Sequence, residues 1–132
     1  MIQYIDFILT IEDFIGGDEG YNTYEIHIIA TNLFKAIEHL KDKDDIIEVH
    51  SSPVEIPSLN ALNFKDANND GILRAEVKGF IIEYGYVKNG NNVEPSNSDN
   101  IIASNLNEAL LFYNGNIPEI TKIDRYCATL IK

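Results

Sequence analysis

The stretch Ile72-Leu73-Arg74-Ala75-Glu76-Val77-Lys78-Gly79-Phe80-Ile81-Ile82-Glu83-Tyr84-Gly85-Tyr86-Val87-Lys88 decides the fold class. Val77, Ile81 and Val87 alternate there with Phe80, Ile82, Tyr84 and Tyr86, so both faces are apolar. A period of two over that length predicts a strand, and two apolar faces predict a central strand covered on each side.

Upstream lies a turn-forming string, Asp66-Ala67-Asn68-Asn69-Asp70-Gly71, and before it Leu59–Phe64 reads as a short strand. Pro53 and Pro57 bound an irregular connection that follows a strand at Ile46–Ser51. Thr31 or Asn32 can cap a helix whose stripe is Leu33, Phe34, Ala36, Ile37 and Leu40, ending near Lys43. Glu25–Ala30 is β-branched and reads as a strand, preceded by a glycine-broken loop over 13–23. Residues 2–12 alternate, with Ile5, Phe7, Leu9 and Ile11 on one face and Asp6, Thr10 and Glu12 on the other. Downstream, Asn89–Ser98 has loop composition and Ser104 opens a helix through Asn114, stopped by Gly115. Lys122–Ile131 closes the chain as a strand, and no repeat of fixed period stands out. The expected fold is α+β: one domain over 1–132, a mostly antiparallel sheet with two helices packed on it.

Composition narrows the function. The 132 residues are 45% hydrophobic and 23% charged, as in a folded globular chain, and carry a net charge of −11. Such a surface repels the phosphates of nucleic acids and anionic lipids, so neither is expected as a partner. A protein with a basic face is expected instead. Met1–Phe7 lacks a basic region and is interrupted by Asp6, so no signal peptide is expected, and no apolar run is long enough for a spanning helix. With Cys127 alone, no intrachain disulfide can form, and a reducing, cytoplasmic setting is expected.

Chemistry-bearing motifs are sparse. Asp66–Gly71 matches the first half of a calcium loop, but position 12 of that pattern is Val77, and the residue types suit a tight turn equally. His27, His39 and His50 form no metal-ligand spacing, although His27 and His50 would converge if their strands were neighbours. Gly16-Gly17-Asp18-Glu19-Gly20 has the glycines of a phosphate loop with carboxylates where a lysine should follow. Cys127 reads as a small buried hydrophobe. Neither a cofactor nor a metal site is expected, and no catalytic set is found.

Charge placement is the informative feature. Residues 1–55 hold twelve acids and three bases, in two runs. The first contains Glu12, Asp13, Asp18 and Glu19 interleaved with Phe14, Ile15, Tyr21 and Tyr24; the second contains Asp42, Asp44, Asp45 and Glu48. Aromatic anchors ringed by carboxylates fit a protein-binding surface for a basic partner, whereas a merely solvated face would serve solubility alone.

In size, charge and α+β character, the whole chain resembles the immunity proteins of bacterial polymorphic-toxin and contact-dependent-inhibition systems. The likeness is one of profile, carried by the acidic–aromatic loop and the Asp42-Lys43-Asp44-Asp45 run. It implies a non-enzymatic inhibitor that covers a cognate toxin domain, often a basic nuclease, with carboxylates standing in for substrate phosphates. The alternatives are a phage-encoded acidic inhibitor of a nucleic-acid-handling host defence, and a small ligand-binding or enzymatic domain. The latter would require a pocket with convergent polar groups, a histidine among them.

Overall fold

In the computed structural model, which describes residues 2–14, 16, 20–88 and 92–132, the chain forms six strands and two short helices. The strands are β1 (Tyr4–Phe14), β2 (Tyr21–Ala30), β3 (Ile46–Val54), β4 (Arg74–Lys88), β5 (Asn92–Ala103) and β6 (Glu119–Ile131). Helix α1 (Leu33–Ile37) lies between β2 and β3, and α2 (Leu106–Leu110) between β5 and β6. All six strands belong to one sheet in the order β3-β1-β2-β6-β4-β5, antiparallel except where β2 meets β6. The expected α+β class with a mainly antiparallel sheet is what the chain adopts.

The order conceals a duplication. β1-β2-α1-β3 and β4-β5-α2-β6 are two copies of one β-β-α-β unit. In the first, Phe7 faces Ile28 on one side and Ser51 on the other. In the second, Phe80 faces Ile101 and Arg125 in the same way. The sequence carries the repeat where strand turns into helix: Ile28-Ile29-Ala30-Thr31-Asn32-Leu33 recurs as Ile101-Ile102-Ala103-Ser104-Asn105-Leu106. Asn32 and Asn105 cap the two helices identically, accepting from the backbone N–H of Lys35 at 2.8 Å and of Glu108 at 2.9 Å. The cap of the second helix is thus Asn105, not Ser104. At the same offset Phe7-Ile8 recurs as Phe80-Ile81, so the expectation of no repeat needs correction; elsewhere identities are sparse and the repeat is easily missed.

The units join at two parallel seams. Ile28 and Ile29 of β2 pair with Thr129 and Leu130 of β6. At the equivalent place, Glu55, just past β3, bridges Ile101 of β5: its N–H donates to the Asn100 carbonyl at 2.9 Å and its own carbonyl accepts from Ile102 at 2.8 Å. The outer strands of the sheet therefore meet, and the sheet closes into a small barrel. Every strand sends apolar side chains into its lumen: Tyr4, Ile29, Val54 and Ile102 from β1, β2, β3 and β5, Ala75 and Val77 from β4, and Ala128 and Leu130 from β6. Two further clusters lie outside, one joining Phe7, Leu9 and Ile28 to Ala36 of α1, the other joining Phe80, Ile82 and Ile101 to Ala109 of α2. This is why β4 is apolar on both faces: Ala75 and Val77 face the lumen while Phe80 and Ile82 face the second outer cluster. A fully buried Ile or Leu such as Ile29 or Leu130 contributes about 1.5–3 kcal/mol.

Several expectations need correction. Leu59–Phe64 is not a strand; it begins with a 3-10 turn at Leu59–Ala61, and Leu59, Leu62 and Phe64 pack against the lumen cluster. Helix α1 ends at Ile37 rather than near Lys43, because the aspartate-rich run that follows closes as a second 3-10 turn at Lys43–Asp45 to start β3 beside β1. Phe34 is accordingly 71% exposed and not part of the helix's inner stripe. The stretch read as a loop over Asn89–Ser98 is strand from Asn92, while residues 89–91 lie outside the described residues. β1 and β2 likewise extend to Phe14 and back to Tyr21, into the expected loop over 13–23. Cys127 is exposed, since it sits on the outer face of β6 where neither helix covers it.

Candidate functional site

The acidic runs meet at the far end of the first unit. β1 and β2 form a hairpin in which Ile11 faces Tyr24, Glu12 faces Thr23, Asp13 faces Asn22 and Phe14 faces Tyr21. On the other side of β1, Thr10 faces Glu48 and Ile11 faces Ile46, with a register shift between the two pairs. The 3-10 turn at Lys43–Asp45 lies just before Ile46, where this shifted register begins. The Tyr24 hydroxyl donates to Asp42 Oδ2 at 3.1 Å. Partial desolvation and the neighbouring carboxylates of Asp42, Asp13 and Asp45 hold the Tyr24 hydroxyl above its ordinary range. Two acidic segments that are about thirty residues apart in the chain thus converge on one tyrosine.

Strand alternation divides the expected residues between two faces. Asp13 and Tyr24 point outward with Asp42 and Asp45 beside them, whereas Glu12 and Glu48 lie on the opposite face of β1 and β3. Glu48 is tied to His50 Nε2 at 2.7 Å. Asp44 is exposed on the 3-10 turn. Asp18 and Glu19 lie outside the described residues, as do Ile15 and Gly17. Phe14 and Tyr21 stay 61% and 63% exposed with ring centroids 5.2 Å apart, so the aromatic pair is on the surface and not in the core. Ile47 and Val49 of β3 are exposed nearby. By the same alternation Phe14 and Tyr21 lie on the Glu12 face, so the apolar groups that share a face with Asp13 and Tyr24 are Val49 and Ile47; exposed apolar groups beside carboxylates suit a cationic protein surface.

A second polar constellation, inside the barrel, escaped the sequence reading. Asp6 is 1% exposed, and His27 Nδ1 lies 3.1 and 2.9 Å from its two carboxylate oxygens. Tyr126 stacks on the His27 ring at 4.2 Å and donates its hydroxyl to Asn100 Oδ1. Burial raises the Asp6 carboxyl above its ordinary value although the His27 contact opposes it, and burial beside Asp6 raises the Tyr126 hydroxyl. The face of β1 that reads as polar is therefore lumen, not solvent. His27 and His50 both face Ile8 across β1, from opposite sides, and each is satisfied by its own carboxylate. Among the described residues no three His, Cys, Asp or Glu side chains come together to hold a metal ion.

The calcium-like string is a turn closed on itself. Asp66 accepts from the backbone N–H of Asp70 and Gly71 at 3.1 and 3.0 Å, and Asp70 accepts from both Nη atoms of Arg74 at 3.0 and 2.8 Å. Asn69 and Gly71 take the positive φ such a turn requires. Among the described residues no helix is long and apolar enough to cross a membrane. Neither a protein-family model nor a curated protein nor a solved structure matches the chain.

Proposed function

We propose that this chain is an immunity-type protein, a stoichiometric inhibitor that binds a cognate toxin domain through the acidic face around Tyr24. The toxin would present a basic surface, as a nuclease does where it grips phosphates. Asp13, Asp42 and Asp45 would pair with its Lys and Arg side chains, Ile47 and Val49 would supply buried contact area on that face, and Phe14 and Tyr21, at the end of the paired strands, would add contacts only if the partner wraps around the hairpin. No chemistry by the chain itself is involved, and the setting is the cytoplasm, where the toxin acts.

The observation that carries this reading is the charge difference between the two units. Residues 1–73 hold fourteen acids and four bases, a net of −10; residues 74–132 hold seven acids and six bases, a net of −1. Both build the same β-β-α-β unit, so the fold itself does not call for the excess. Like charges crowded around Tyr24 destabilise a monomer slightly, and a basic partner reverses that term.

The test is capture of the product of the neighbouring toxin gene at low and high salt, with the parent chain and with Asp42→Asn, Asp44→Asn and Asp45→Asn combined. The parent is expected to capture the toxin and to associate more slowly as salt rises. Equal capture by the triple variant, or capture indifferent to salt, would remove the acidic face from the function.

A further inference from the structure

Three of the chain's ten Lys and Arg residues line one groove, and two more line a smaller space beside it. The groove has a volume of 610 Å³ and lies between α1, the turn at Asp66–Gly71 and the outer faces of β2, β6 and β4. Its apolar floor is formed by Ile26, Ile28, Leu40, Ile72 and Ile131. Lys41, Lys65 and Arg74 line it together with His39. A smaller cavity of 290 Å³ shares Ile72 and Ile131 with it and adds Lys35 and Lys132. Five of the ten Lys and Arg residues are thereby collected around two adjoining spaces, against Glu38 and Glu76 in the lining and Asp66 and Asp70 in the adjoining turn. In a chain of net charge −11, that local reversal of sign needs a reason.

The second unit supplies a comparison within the same molecule. Extending the match of Ile28–Ile37 with Ile101–Leu110 in both directions sets Asp99 against Ile26 and Tyr113 against Leu40. There the Tyr113 hydroxyl donates to Asp99 Oδ2 at 2.9 Å, bridging β5 and the 3-10 turn Leu111–Tyr113 that follows α2 across the corresponding space. In the first unit the same two positions are aliphatic and the space stays open. The opening is a property of this copy, not of the fold. Its outer wall is stiff, because Arg74 holds Asp70, and Asp66 ties down the backbone of the turn. The string that resembles half a calcium loop thus acts as the rim of the groove. With Arg74 held by Asp70, Lys41 and Lys65 are the groups left to meet an anionic ligand.

We propose that this groove binds a small amphipathic organic anion. Its apolar body lies on Ile26, Ile28, Leu40, Ile72 and Ile131, and its carboxylate or phosphate head lies at Lys41 and Lys65. The volume is within the roughly 300–1,000 Å³ of small-molecule pockets, and a largely apolar lining with a few placed charges is their usual make-up. Charge selects the class: a neutral lipid gains nothing from the two lysines, and a cation is repelled by them. This site is separate from the acidic face and is testable without any partner protein.

The experiment titrates the full chain with decanoate, with decyl phosphate and with neutral decanol, following heat and backbone amide shifts. Saturable one-to-one binding of at least one of the two anions is expected, tighter than decanol by about tenfold or more, a difference of one charge-assisted contact. The shifts should centre on Ile26, Leu40, Ile72 and Thr129. Decanoate against decyl phosphate identifies the preferred head. Lys41→Glu combined with Lys65→Glu, both at exposed positions, should weaken anion binding by about tenfold or more and leave the melting temperature within a few degrees. Leu40→Trp, which fills the groove, should abolish it. No saturable binding at millimolar ligand, equal binding of decanol, or anion binding unchanged in the lysine double variant would each overturn the proposal.

Discussion

The ring of Tyr126 occupies the space that a β-carbon on Gly79 would need. The two residues face each other across β4 and β6, and the equivalent positions in the first unit are Asp6 and Ser52 on β1 and β3. There the small serine leaves room for a carboxylate in the lumen; here a glycine leaves room for a ring that reaches His27 and Asn100. The duplicated frame has thus been filled asymmetrically, and the polar layer Asp6–His27–Tyr126–Asn100 draws on both units.

Gly79→Ala should destabilise the fold through this overlap, since overpacking a core costs about 1–3 kcal/mol. Gly79 is not at positive φ, so backbone strain does not contribute. Urea unfolding of the single variants and of Gly79→Ala with Tyr126→Ser is the measurement. The pair should lose less than the two singles together, by about 0.5–3 kcal/mol. Strict additivity would show that ring and glycine are not coupled.

Asp6 should make stability depend on pH with a sign opposite to the usual carboxylate. Burial raises its folded pKa above the ordinary 3.8. Its contribution is therefore fully present below the unfolded value and is lost as pH rises through the folded one. Asp6→Asn retains an oxygen to accept from His27 Nδ1 and removes the titration. Melting temperature of parent minus Asp6→Asn should fall as pH is raised from about 4, since ionisation then has to occur in the lumen. Asp6→Ala leaves the half-buried His27 donor without its carboxylate partner and should cost about 1 kcal/mol more than Asp6→Asn. A parent-minus-variant difference that is flat with pH would mean the carboxyl is not titrating in the lumen.

Asp70 should behave in the conventional direction. Its hydrogen bonds to Arg74 hold it at about 2, below the ordinary 3.8. The stabilisation it brings is present above the unfolded value and disappears as pH falls between about 4 and 2. Asp70→Asn should flatten the melting curve in that window and leave the difference from the parent constant above pH 5. The groove rim should loosen with it, seen as faster amide exchange at Gly71 and Ile72. Parallel acid profiles for the two proteins would show that the Arg74 pair is absent in solution.

What the residues announced in advance followed local physics. β1, β4 and β6 were legible because alternation is a short-range signal, and the asparagine at position 32 was legible as a cap because capping needs only three neighbours. The closure of the sheet was not, since the Glu55–Ile101 bridge is a long-range pairing with no local signature. Asp6 reads as solvent-facing by alternation, and only closure turns that face into lumen. Tyr24 and Asp42 each stand out within their own segment; their meeting requires β3 to pair with β1 beside the hairpin, a long-range contact with no local signature. Lys41, Lys65 and Arg74 are scattered in sequence, so no composition window could show that they line one groove.

The acidic face should prove mildly unfavourable to the isolated chain. Asp13, Asp42 and Asp45 crowd the Tyr24 hydroxyl, and like charges at that range repel. Replacing all three by asparagine keeps an amide oxygen at position 42 to accept from the hydroxyl while removing the repulsion. The variant should melt slightly above the parent at low ionic strength, by a difference worth about 1 kcal/mol or less, as is usual for exposed charges. The gap should close in high salt, where such interactions are screened within about 3 Å at 1 M. A variant that melts below the parent at low salt would mean that these carboxylates hold the hairpin together. The excess charge of the first unit would then belong to folding, and the partner-binding role would lose its support.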